Sequence, residues 1–94
     1  MSKEEVVISF NNRDIIEKTA SIFGNSAHIV ISKKYLKKNV KIIVGKSKIV
    51  GEVIIVDFSE AEIFNRKSSK FGTGCHVIIP KEYVGKEVKI IIKK

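Results

Sequence analysis

Apolar and polar residues alternate with a period of two along most of this chain, the pattern of strands that bury one face. The pattern predicts strands at "EVVISF" (Glu5 to Phe10), "DIIEKTASIF" (Asp14 to Phe23), "HIVI" (His28 to Ile31) and "NVKIIV" (Asn39 to Val44). It predicts four more at "GEVIIVDF" (Gly51 to Phe58), "EIFNRKSSKF" (Glu62 to Phe71), "HVIIP" (His76 to Pro80) and "EVKIII" (Glu87 to Ile92). The apolar positions hold 17 Ile and 11 Val against one leucine, Leu36. β-branched side chains fit a pleated surface better than a helix, so the fold class is mostly β. Each half offers one short helical turn. "SKKYLKK" has Ser32 as its N-cap, and "PKEYVGK" has Pro80 where a turn can start and Gly85 where it can stop.

The second set of elements repeats the first. Aligned at a constant offset of 48, Val6 on Ile54 through Val44 on Ile92, 39 positions pair without a gap and 14 are identical. Shared Ile and Lys richness explains some matches, but not Phe10, Phe23, Gly24, His28 and Tyr35 all meeting their own kind in register. Residues 1–47 and 48–94 are thus expected to be two similar units, together one globular domain. Either alone is too short to bury a sizeable core, and two exposed apolar sheet faces can bury each other. The expected result is a monomer that carries its own dimer partner.

Composition adds a partner class. The chain has 18 basic and 10 acidic residues, a net charge of +8, and is 44% hydrophobic, which is globular rather than disordered. Such an excess favours a polyanionic partner. Lysines outnumber arginines 16 to 2, whereas bidentate reading of guanine prefers arginine, so binding is expected to be electrostatic and weakly discriminating. "MSKEEVV" lacks the basic-then-apolar form of a signal peptide, and no apolar run approaches the roughly 18 residues of a spanning helix. A cytoplasmic protein without a membrane partner is expected. Cys75 is the only cysteine, so there is no intramolecular disulfide and no cysteine-based metal cage.

At "FGNSAHIVISKKYLKKNVKIIV" and "FGTGCHVIIPKEYVGKEVKIII", the order of glycine turn, strand, short helical turn and strand resembles the AbrB/MazE/SpoVT swapped-hairpin family. The chain is also similar to a small archaeal family of transposon-encoded proteins of unknown function, in which "FGNS", "HV", "PKEY", "GK" and "VK" recur. The resemblance implies two tandem hairpin units that interlock into an intramolecular pseudo-dimer and place their first long strands on DNA. Family members that bind DNA carry basic residues just before the aromatic-Gly turn and another in the following strand. Those places fall here on Ser21, Ile22, Ser69 and Lys70, and on Val30 and Ile78. Only Lys70 is basic, which points away from sequence-specific operator recognition.

The remaining charge suggests a different contact edge. "NRKSSK" presents Arg66, Lys67 and Lys70 with Ser68 and Ser69 between them, and its counterpart in the first half keeps only Lys18. In a strand, Arg66, Ser68 and Lys70 share one face and Lys67 and Ser69 the other. The candidate nucleic-acid contacts are therefore Lys18, Arg66, Lys67, Ser69 and Lys70. A second basic group, Lys33, Lys34, Lys37 and Lys38, reads as the wet face of a turn that buries Tyr35 and Leu36. His28 and His76 are repeat equivalents with Cys75 beside the second; a metal needs three or four converging ligands, so packed histidines are expected and no metal. Phe10, Phe23, Phe58 and Phe71 are expected in the core. Gly24 and Gly72 suit tight turns, since no phosphate-cradling glycine motif surrounds them.

No nucleophile elbow or paired acids appear; Asp14 with Glu62, and Ser9 with Asp57, are repeat equivalents that merely begin or end strands. An enzyme, a cofactor and a small-molecule substrate are not expected. The leading reading is a protein of duplex DNA, acting as a transcriptional regulator or architectural factor. The alternative is a protein-interaction module, an antitoxin-like or assembly partner; the chain ends at "IIIKK" without the acidic or hydrophobic tail that such antitoxins extend, which favours DNA.

Overall fold

The computed structural model describes residues 5–9 and 13–93; Phe10, and the side chain of Phe58, lie outside the described residues. The described chain is mostly β, with two antiparallel sheets and two 3-10 turns. In order the strands are β1 (Glu5–Ser9), β2 (Arg13–Thr19), β3 (Ser21–Phe23), β4 (Ser26–Ile31), β5 (Asn39–Val50), β6 (Val53–Lys67), β7 (Ser69–Phe71), β8 (Gly74–Pro80) and β9 (Glu87–Lys93). A five-stranded sheet runs β1-β6-β5-β9-β2 and a four-stranded sheet runs β3-β4-β8-β7.

Two differences from the sequence reading matter. Each long predicted strand breaks before its last three residues, at Ala20 and at Ser68, and the chain passes from the five-stranded to the four-stranded sheet. Conversely, the strands expected at Gly51 to Phe58 and Glu62 to Phe71 merge into one, β6, up to Lys67. The helical turns are the 3-10 segments Lys33–Tyr35, with Ser32 accepting from the Lys34 N–H at 3.5 Å, and Lys81–Tyr83.

Pairing follows a twofold rule. Shifting both members of a pair by 48 yields another pair: Lys18 with Val88 becomes Arg66 with Val40, and Ile31 with Cys75 becomes Ile79 with Ala27. Three pairs map onto themselves, Val7 with Ile55, Ile29 with Val77, and Ile42 with Ile90. Among the described pairings only β3–β4, β7–β8 and the tip of β5–β6, from Lys48 with Ile55 to Val50 with Val53, lie within one half.

The main core forms between the sheets. Alternate residues Ala27, Ile29, Ile31, Cys75, Val77 and Ile79 of the four-stranded sheet meet Val40, Ile42, Val44, Val88, Ile90 and Ile92 of the other. Ile42 and Ile90 are fully buried at the centre, each contributing about 1.5–3 kcal/mol through apolar surface removed from water. On the opposite face of the five-stranded sheet, Ile43 and Ile91 pack against Ile54, Val56 and Ala61. The β5–β6 register jumps there between Gly45 and Ser47. Gly45 has φ +106°, and a Cβ on it would stand 2.4 Å from the Glu60 carbonyl oxygen. Across the jump, Asp57 accepts from the Ser59 N–H at 3.0 Å and its hydroxyl at 2.6 Å. Asp57 therefore closes a turn within the irregularity and does not merely end a strand.

Two outcomes test this architecture. Gly45→Ala should lower stability by about 2 kcal/mol or more in urea denaturation, because both its φ and the space refuse a side chain; an unchanged midpoint would show that the ladder relaxes there freely. A peptide of residues 1–47 should be unfolded or self-associated by circular dichroism and sedimentation, since β2 and β4 lose their cross-half partners. A folded monomeric half would contradict it.

Candidate nucleic-acid interface

The site begins at the two strand breaks. At one, the Ala20 N–H donates to the Lys86 carbonyl at 2.9 Å, and the Gly85 N–H donates to the Ala20 carbonyl at 2.9 Å. At the other, the Ser68 N–H donates to the Lys38 carbonyl at 3.0 Å, and the Lys37 N–H donates to the Ser68 carbonyl at 3.2 Å. Each break is thus clamped by the segment just after the helical turn of the other half. Gly85 has φ +85° and its counterpart Lys37 has φ +61°, a left-handed conformation uncommon for a side-chain-bearing residue. The Ser68 hydroxyl, which Ala20 lacks, donates to the Tyr35 carbonyl and accepts from the Lys38 N–H at 3.2 Å. Ser68 is only 2% exposed, so it belongs to the clamp and not to a phosphate-contacting face.

The clamp draws the two basic groups of the sequence together. A cleft of about 500 Å³ is lined by Lys37, Lys67 and Lys70 with Leu36, Ser68 and Ser69. Lys67 also borders a cleft of about 400 Å³ with Asn39, Lys41, Asn65 and Arg66, and a third of about 340 Å³ with Ser26, Arg66 and Ser69. Among the described residues, none that lines these three clefts is acidic. Three of these five cations have neutral equivalents across the twofold: Thr19, Gly85 and Ile22 stand where Lys67, Lys37 and Lys70 do, while Lys18 and Lys89 match Arg66 and Lys41, and Glu17 and Glu87 replace Asn65 and Asn39. A symmetric scaffold therefore carries its basic edge on one side.

The candidate residues divide accordingly. Lys67, Ser69 and Lys70 are exposed at this edge. Arg66 is half-buried and bound: its Nε donates to the Ile78 carbonyl at 3.0 Å and its Nη1 to the Asn65 carbonyl at 3.0 Å. Lys18 makes the equivalent bond, donating to the Val30 carbonyl at 2.7 Å. Both cations satisfy carbonyls of β4 and β8 beyond the reach of the three-residue β3 and β7. Lys18 lies on β2, separated from β6 by β5 and β9, and does not join the cluster. Lys37, Lys41, Asn39 and Asn65 are the members the sequence reading left out. The offset of 48 that places Lys37 opposite Gly85 was the available signal.

A second constellation occupies the outer face of the four-stranded sheet. His28 and His76, 7% and 5% exposed, meet Nδ1 to Nδ1 at 3.0 Å, a hydrogen bond in which one ring donates and the other accepts. Phe23 stacks on His28 with centroids 4.5 Å apart, Phe71 on His76 at 4.6 Å, and the two phenylalanines meet edge to face at 5.5 Å. Phe23 and Phe71 are not core residues, as the sequence suggested; each is 37% exposed because Ser21 and Phe23, opposite His28 and Ser26, face away from the other sheet. Gly24 and Gly72 make the adjoining turns with φ near +57°. The Cys75 thiol points inward and donates to the Ser32 carbonyl at 3.1 Å. Among the described residues, no three His, Cys, Asp or Glu side chains gather to hold a metal, and no helix is long and apolar enough to cross a membrane.

Tyr35, buried under its turn, donates to Asp14 Oδ2 at 2.6 Å, which holds the phenol above its ordinary pKa, with burial adding to the shift. Asp14 thereby ties the turn to β2 and does more than begin a strand.

Burial lowers the pKa of His76 below its usual value of 6.5, and the neighbouring His28 lowers it further. A base whose folded pKa is depressed binds fewer protons folded than unfolded, so its stability contribution is full above about pH 6.5 and is lost as pH falls through the folded value. The melting temperature should therefore fall on acidification below about pH 6.5. The fall should be shallower in His76→Gln. Parallel melting curves of the two proteins between neutral and acidic pH would assign the acid sensitivity to other groups.

Residues 60–94 match a family model described as "Putative transposon-encoded protein (DUF2080)". No curated protein and no solved structure matches the chain.

Proposed function

We propose that this protein binds duplex DNA as two fused AbrB-like swapped-hairpin units, through the single basic edge at Lys37, Lys67 and Lys70, as a regulator or architectural factor. The observation that carries this reading is the merging of two lysine groups, 30 residues apart in sequence at Lys37 and Lys67, around clefts that no acidic side chain lines among the described residues. Lysines held on a clamped backbone neutralise successive phosphates, and Asn39, Asn65 and Ser69 add neutral hydrogen-bonding groups to the same surface. Arg66, the basic side chain best suited to reading guanine here, is committed to the Ile78 carbonyl, so base discrimination is modest. The cross-half pairing and its twofold register support the reading of interlocked units. One basic pole per chain means that a monomer needs no palindromic site, unlike a symmetric dimer.

Titrating labelled duplex DNA at several salt concentrations tests the reading. Each phosphate contact contributes about 0.9 to the slope of log affinity against log salt. The triple variant Lys37→Gly, Lys67→Ala, Lys70→Ala should flatten that slope by roughly 2 to 3 and weaken binding to all sequences alike. The matched control Lys81→Ala, Lys86→Ala, Lys89→Ala removes the same charge from positions that line none of these three clefts and should change the slope by about 1 or less. Equal losses would mean that net charge alone drives binding. Absence of salt-dependent binding by the wild type would refute the DNA reading.

A further inference from the structure

The outer face of the four-stranded sheet is unlike the rest of the surface. In a chain of net charge +8, the residues that the strand register places on this face include no Asp, Glu, Lys or Arg. They come instead in twofold pairs: Phe23 with Phe71, His28 with His76, and Val30 with Ile78, bordered by Ser21 and Ser69. Phe23 and Phe71 are each 37% exposed, and Val30 and Ile78 each 38%. Four apolar side chains thus stand open around a buried imidazole pair, and a contiguous apolar patch of this kind marks an interaction surface.

We propose that this face associates with the same face of a second copy of the chain, sheet against sheet, on a twofold axis. Charge argues for that occupant. A polyanion or a charged protein surface would lose hydration across this face and meet positive charge only at its rim, where Lys18 and Arg66 are held by the Val30 and Ile78 carbonyls, whereas a copy of the same face brings no charge to desolvate. Symmetry argues for it too: the paired residues let every contact be made twice in an isologous arrangement. The area sets the strength. The four strands hold 3, 6, 7 and 3 residues, and at a spacing of about 4.8 Å and a rise of about 3.4 Å per residue they give on the order of 300 Å² of flat sheet per copy. About 600 Å² in total falls short of the ~1,200 Å² at which stable interfaces begin, so the dimer is transient and forms only when concentrated. Folding does not depend on it, because the strand partners all lie within one chain. This association is independent of the DNA reading, and its salt dependence has the opposite sign: salt screens the repulsion between two cationic copies and strengthens the dimer, whereas it weakens DNA binding.

Sedimentation of the wild type across concentrations up to about 1 mM, without DNA, should show a monomer passing to a dimer, more readily at high salt. Val30→Asp with Ile78→Asp should remain monomeric throughout with an unchanged circular dichroism spectrum, since both positions point outward. A wild type that stays monomeric to about 1 mM, or a double variant that dimerises equally well, would overturn the proposal. If the double variant loses its fold, backbone amide shifts of the wild type decide. Concentration-dependent shifts centred on residues 26–31 and 74–80 support the face, and shifts centred elsewhere refute it.

Discussion

Every long strand of this protein takes hydrogen-bond partners from the other half of the chain. β2 lies against β9, β4 against β8, and β5 between β6 and β9. The main core exists only because those pairings bring alternate residues of the two sheets face to face. Neither half can shed an element without stripping the other of backbone partners, and unpaired buried N–H and C=O groups are expensive. The cross-half clamps at Ala20 and Ser68 follow from the same constraint, since they occur where the chain leaves one sheet for the other.

That scaffold obeys its twofold closely in backbone and breaks it in charge. The same clamp is built from Ala20 and Gly85 on one side and from Ser68 and Lys37 on the other. On the second side the serine hydroxyl adds bonds to Tyr35 and Lys38, lysines fill positions that are neutral opposite, and asparagines fill positions that are acidic opposite. The twofold backbone supplies two equivalent surfaces, and a few exposed residues that differ between them make one surface basic while the core stays the same. The outer face of the four-stranded sheet went the other way. It kept its paired rings and acquired no charge, so the two surfaces differ in the chemistry of what can contact them.

The buried imidazoles sit where symmetry forces them together. Equivalent histidines on the adjacent central strands β4 and β8 meet Nδ1 to Nδ1, and a hydrogen bond there uses one proton. The stacked phenylalanines shield the pair from water, which disfavours the charged form of His76. Protonation at both Nδ1 atoms would direct two N–H groups at each other, so the pair tolerates a neutral ring best.

Period-two alternation and 28 β-branched Ile and Val residues already specified strands, and the ungapped offset of 48 already specified two equivalent halves. The short turns at Ser32 and Pro80 were legible because capping chemistry is local. What the pattern could not say is which sheet a strand joins. "EIFNRKSSKF" alternates smoothly, yet the chain changes sheets at Ser68, because the bonds that turn it come from Lys37 and Lys38 of the other half. That one long-range contact undid the expected shared face of Arg66, Ser68 and Lys70. It also brought Lys37 to Lys67 and Lys70. The phenylalanines tell the same story: hydrophobicity marks Phe23 and Phe71 for burial, but the register of β3 and β7 directs them to the outer face, where histidines are their partners. Local periodicity determined what the elements are; long-range backbone pairing decided which side chains meet, because hydrogen-bond partners dozens of residues away leave no trace in the spacing of neighbours.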